Sequence, residues 1–221
     1  MITLSESASD NMEWYNLCMK RIVCFGDSNT WGYDGDNSGS RFEDRWTKRL
    51  GMLLGEGYEV IEEGLGGRTT VFEDPLNPGR NGLLYLTPCL LSHKYFDTLI
   101  IMLGTNDAKE RFSATAVNIA DGMKRLAVTA KSLDVWKGSV DILIVAPSPI
   151  RPECERSPFS GEMGICSEKT YRLGEEYKKT AALVGARFFD AAPAEVNHTD
   201  YMHLSQTGHQ WLAGKLAELV R

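Results

Sequence analysis

Ile22-Val23-Cys24-Phe25-Gly26-Asp27-Ser28-Asn29-Thr30 is a short apolar run that stops abruptly at turn-forming and helix-capping residues. Four consecutive apolar residues bounded by such signals read as a buried strand feeding a helix. The same pattern returns at Tyr58 to Ile61, Thr98 to Leu103, Ile142 to Ala146 and Arg187 to Phe189. Between these runs, Ala116, Ile119, Ala120, Met123, Leu126, Ala127 and Ala130 recur at helical spacing. Leu212, Leu216 and Leu219 do the same behind Ser205, a residue suited to an N-cap. Strands alternating with helices read as βαβ units around a parallel sheet. The expected fold is therefore α/β, a three-layer sandwich with a five-stranded parallel sheet and helices on both faces.

The chain has 221 residues, of which 43% are hydrophobic and 24% charged, with a formal net charge of -6. That composition supports a packed core and excludes a disordered, collagen-like or disulfide-scaffold protein. An acidic balance without a Lys/Arg block argues against nucleic-acid and anionic-membrane partners, which require basic surfaces. A small-molecule partner is expected. No apolar run approaches the roughly 20 residues that a membrane span needs. Residues 1–20 mix Glu6, Asp10 and Glu13 with Ser and Asn, without a basic start or an apolar stretch. They are read as an N-terminal extension of a cytoplasmic protein whose single domain covers 21–221. A bridge between Cys154 and Cys166 is disfavoured in such a compartment, and no C-x-x-C pair suggests zinc.

In a doubly wound sheet, ligands bind beyond the carboxyl ends of the strands, where the strand order reverses. Three loops then matter: Gly26 to Thr30, Gly64 to Thr70, and Gly104 to Asp107. If the first strand lies between the second and third, these loops share one mouth. Each alone has an ordinary reading. Ser28 suits a helix cap, Gly66 and Gly67 suit a tight turn or a phosphate cradle, and Asn106 and Asp107 suit a turn. Asp200-Tyr201-Met202-His203 adds an acid and an imidazole just before the last helix. A nucleophilic serine needs a base and an acid that orients it, and Asp200 with His203 supplies both. His93, His198 and His209 lack an acid at that spacing and read as surface or packing residues, with His198 the nearest competitor as base.

Taken together and in this order, these segments resemble the SGNH, or GDSL-type, hydrolases. The strings CFGDSNTWGY, RWTKRL, VIEEGLGGRTT, DPLNPGRNG and IIMLGTND are similar to the bacterial arylesterase and acyltransferase branch. The resemblance implies a flavodoxin-like sheet and short-chain ester chemistry. It makes Ser28 the nucleophile, His203 the general base and then acid, and Asp200 the group orienting His203. It builds an oxyanion hole from the N–H groups of Ser28 and Gly67 and the side-chain amide of Asn106. Asn29 departs from the Leu of many members, and either bonds within its loop or reaches substrate. Glu62-Glu63 replaces a commoner Asn, as also happens in the branch resembled.

Asp27 and Trp31 flank Ser28 and are expected to contact substrate, whereas Trp46 reads as core. Arg68 is expected to pair with Asp27 or Glu63. No cofactor or metal is expected, and relatives that self-associate leave a homo-oligomer open. Water, an alcohol or hydrogen peroxide as acceptor would give hydrolysis, transfer or a peracid. A carbohydrate deacetylase and a non-catalytic flavodoxin-like binding module are the competing readings.

Overall fold

The computed structural model describes residues 19–37 and 39–221; all but the last two residues of the expected extension lie outside them. In chain order the elements are β1 (Lys20–Gly26), α1 (Ser28–Trp31), β2 (Tyr33–Asp34), β3 (Ser40–Arg41), α2 (Trp46–Leu54), β4 (Tyr58–Gly64), α3 (Gly82–His93), β5 (Thr98–Met102), α4 (Ala116–Ser132), β6 (Ile142–Ala146), α5 (Ser160–Met163), α6 (Ser167–Tyr171), α7 (Leu173–Val184), β7 (Arg187–Asp190) and α8 (Gln206–Val220). Five strands pair in parallel in the order β4-β1-β5-β6-β7. β1 thus lies between β4 and β5, and the order reverses beside it. None of the helices among the described residues is long and apolar enough to cross a membrane.

Alternation along the strands builds two cores, because successive side chains face opposite sides of the sheet. Val23, Phe25, Leu99, Ile101 and Ile144 pack against α3, α4 and α7 through Leu86, Leu90, Ile119, Met123, Leu126 and Leu173. Ile22, Cys24, Ile100, Met102, Leu143 and Val145 face the other way, against Trp46 and Leu50 of α2 and Leu212 and Leu216 of α8. Trp46 is fully buried there, as its sequence pattern predicts. α4 begins with a capping box between Thr115 and Asn118, and α8 begins with the Ser205 side chain accepting from the Gly208 N–H.

Two glycines at strand ends hold α1 against the sheet. A Cβ on Gly26 would stand 2.0 Å from Thr30 Oγ1, and one on Gly64 would stand 2.2 Å from the Trp31 backbone nitrogen. Only hydrogen fits at either place. Residues 31–41, read as a loop, contain the two-residue antiparallel ribbon of β2 and β3. The Pro-rich segment 147–166 folds into a 3-10 turn at Pro152–Arg156 and the single turn α5. Cys154 and Cys166 are buried free thiols.

Candidate active site

The β1–α1 turn lifts Ser28 to the carboxyl end of the central strand. Asp27 caps that short helix, its Oδ1 accepting from the Asn29 N–H at 2.9 Å. Ser28 Oγ lies 2.8 Å from His203 Nε2, and His203 Nδ1 lies 2.8 Å from Asp200 Oδ2. The second oxygen of Asp200 accepts from the N–H groups of Met202 and His203 at 2.9 Å each and from Asn197 Nδ2 at 3.0 Å. Burial alone would raise the Asp200 pKa, but the His203 contact and these donors hold it below the usual carboxylate value. Tyr201, between acid and imidazole, is left-handed at φ 63°. A bulky residue rarely adopts that conformation, and here it is anchored by its carbonyl, which accepts from the Arg151 N–H at 2.9 Å.

Asn29 clamps the far side of this turn. Its Oδ1 accepts from the Leu204 N–H at 2.8 Å, and its Nδ2 donates to the Met202 carbonyl at 3.4 Å. Of the two roles open to Asn29 in the sequence, the structure shows bonding, though to the His203 turn rather than to its own loop. Asn197 repeats the pattern from another side, accepting the Asp200 N–H at 2.8 Å and donating to the His203 carbonyl at 3.2 Å. Tyr33 covers the imidazole, with ring centroids 4.4 Å apart.

Opposite the serine, Gly67 turns at φ 78°, and Asn106 donates one amide proton to the Arg68 carbonyl at 3.2 Å. Asp107 binds the two loops together by accepting from the Thr70 N–H at 2.9 Å and from its hydroxyl. Burial pushes the Asp107 pKa up to about 7 despite these bonds, and burial likewise pushes Asp27 up to about 6. Ser28, Gly66, Gly67, Asn106 and His203 line one cleft of about 340 Å³, walled by Tyr33, Phe159, Met163 and Met202. Lys109 Nζ meets Glu162 Oε1 at 2.6 Å across it, and Arg111 joins from 3.3 Å. This pins α5 to the segment after β5.

The structure therefore brings Ser28, Asp200, His203, Gly67 and Asn106 together. Asp27 and Trp31 stand elsewhere. Asp27 is 1% exposed beneath the serine, and Trp31 lies outside the cleft lining under the Arg41 guanidinium, 5.2 Å from its ring centroid. Tyr33, two residues on, is the aromatic that reaches the imidazole. Arg68 pairs with neither expected carboxylate; it donates to the carbonyls of Gly26 and Glu63 and packs on the Phe25 ring. His93 does meet an acid, Glu63, brought to it by the sheet rather than by sequence spacing. His198 is exposed and lines a different hollow.

Residues 24–211 match the sequence profile of the GDSL-like lipase/acylhydrolase family. A search of curated proteins gives no significant match. Among solved structures, the native aryl esterase of M. smegmatis is 38% identical with a TM-score of 0.84, over 91% of this chain and 98% of its own. A carbohydrate acetylesterase from Sinorhizobium meliloti is 36% identical with a TM-score of 0.83 over the same shares. A G-D-S-L lipolytic protein from Veillonella parvula, 16% identical with a TM-score of 0.67 over 91% of this chain and 98% of its own, shares the fold. The profile runs from inside β1 to inside α8, and on that match the chain belongs to the GDSL-like lipase/acylhydrolase family, the SGNH hydrolases.

Proposed function

We propose that this protein is a serine esterase that cleaves short-chain acyl and aryl esters through an acyl-enzyme. The observation that carries this reading is the unbroken path from Ser28 Oγ through both nitrogens of His203 to Asp200, with 2.8 Å at each step. Asp200 accepts a hydrogen bond from Nδ1–H and so keeps the proton on that nitrogen, which leaves the Nε2 lone pair facing the serine hydroxyl. Ser28 Oγ attacks the ester carbonyl while its proton passes to Nε2. The negative charge that develops on the carbonyl oxygen is met by the N–H groups of Ser28 and Gly67 and by the Asn106 amide. Collapse of this intermediate breaks the C–O bond, and the imidazolium returns its proton to the departing alcohol. Water, deprotonated by His203, then releases the acid and restores Ser28. An alcohol in place of water gives transfer by the same steps.

The test is intact-mass spectrometry after exposure to a fluorophosphonate, alongside nitrophenyl acetate hydrolysis. Wild type is expected to gain a single adduct and to turn over, and Ser28→Ala to do neither; turnover surviving in the variant would overturn the assignment. Likeness to the carbohydrate acetylesterase favours a second reading, acetylated sugars as substrate. It predicts a kcat/KM on acetylated sugar well above that on nitrophenyl acetate. A cytoplasmic location belongs to the same proposal, supported by the free thiols of Cys154 and Cys166.

A further inference from the structure

A second cluster of reactive side chains forms where β4 meets α3, outside the cleft that holds Ser28. Cys89 and His93 are four residues apart on α3 and so share one face of that helix. Glu63, the penultimate residue of β4, meets them there. A carboxylate oxygen, the thiol sulfur and an imidazole nitrogen all lie within 4.8 Å of one another. His93 Nε2 is 2.6 Å from Glu63 Oε1, and the Tyr85 hydroxyl donates to Glu63 Oε2 at 3.4 Å. None of Glu63, Tyr85, Cys89 and His93 lines the Ser28 cleft.

One sulfur, one nitrogen and one oxygen donor make a set suited to borderline-soft divalent ions, whereas magnesium and calcium favour oxygen alone. Bond lengths of about 2.0–2.3 Å place the ligand atoms of a tetrahedral zinc site about 3.3–3.6 Å apart. The Glu63–His93 pair is closer than that, at 2.6 Å, and no pair of the three exceeds 4.8 Å. The pocket is closed on the Cys89 side, which is 1% exposed, and opens toward His93, whose side chain is 27% exposed. We propose that Glu63, Cys89 and His93 bind a zinc-class divalent cation that fastens the end of β4 to α3, with water as the fourth ligand. The Glu63 carboxylate and the Cys89 thiolate balance the charge of the ion. Arg68, whose charge favours the thiolate, is occupied by the Gly26 and Glu63 carbonyls. A thiol must lose its proton to become a ligand, so affinity should rise with pH. The ion would lie one residue before the Gly64–Gly67 turn and stiffen the base of the oxyanion loop without touching the reacting atoms.

Cobalt(II) titrated into the full chain tests this. The expected result is one ion per chain, with a thiolate-to-cobalt charge-transfer band in the near ultraviolet and the visible bands of a four-coordinate ion. Cys89→Ser should lose the charge-transfer band. Because a buried substitution can disturb folding, His93→Gln on the open side is the second variant; it should weaken cobalt binding about tenfold or more while hydrolysing nitrophenyl acetate like wild type. Absence of the bands in wild type at saturating cobalt, their survival in Cys89→Ser, or undiminished affinity in His93→Gln would each overturn the proposal. None of these results bears on Ser28.

Discussion

Asn106 spends one amide proton on the Arg68 carbonyl, which fixes the plane of the amide at the cleft wall and leaves the second proton uncommitted among the described residues. A donor held in this way needs no reorientation as charge builds on the substrate oxygen. Asn106→Ala is expected to lower kcat by about 10²–10³ with a much smaller change in KM, read from steady-state kinetics on nitrophenyl acetate. An equal loss in KM would mean that Asn106 binds the ground state instead. Ser28, His203, Asp200, Gly67 and Asn106 were legible as candidates only through the order of their segments and the family resemblance that this order carries, since each alone has an ordinary reading. Asn197 was not. Its three side-chain hydrogen bonds to the Asp200–His203 turn carry no signal beyond that of a polar residue in a loop. Asp27 misleads for the opposite reason: proximity to the serine suggests contact with substrate, yet a capping residue turns its carboxylate toward its own helix.

α1 is a single turn, too short to hold itself together, and the strands beneath it supply what it lacks. Gly64 lets the Trp31 backbone approach β4 closely, and the atoms that a methyl group would meet are main-chain atoms, which have no rotamer to escape into. Gly64→Ala is expected to destabilise the protein by about 1–3 kcal/mol and to lower kcat by moving the serine; urea unfolding and nitrophenyl acetate turnover measure the two effects. A fully stable and active variant would refute the close-packed reading of this junction. At this scale the sequence was most informative about the strands. Ile142 to Ala146 forms β6 as expected, and the order around β1 follows from placing three loops at one mouth. The loops were least legible. Whether Trp31 or Tyr33 faces the imidazole depends on where α1 ends and β2 begins, and the run of residues 31–41 carries no periodicity that fixes that boundary. Glu63 and His93 meet through sheet and helix packing, with no spacing in the sequence to announce it.

His209 links the fold of the whole molecule to pH. It is 0% exposed on α8, accepts from the Trp46 N–H at 3.3 Å, and burial holds its pKa down to about 3. The unfolded chain binds a proton there near pH 6.5 and the folded chain does not, so this stability is present above that pH and is lost as pH falls. Comparing wild type with His209→Gln isolates the contribution: any advantage of wild type at pH 7 should shrink by about 2 kcal/mol at pH 5, measured by urea unfolding. A gap independent of pH would show that His209 titrates alike in both states. Asp27 and Asp107, raised to about 6 and about 7 by burial, act in the other direction, losing their contribution as pH climbs from about 4 to 7. The hydrogen bond between Ser28 and His203 joins positions 175 residues apart, near the two ends of the described chain. During synthesis the serine therefore leaves the ribosome well before its imidazole, with α8 still to follow and dock. A nascent chain is therefore expected to be silent toward esters until the His203 turn and α8 have docked, and the appearance of turnover in a refolding or translation reaction marks the moment at which these distant segments have met.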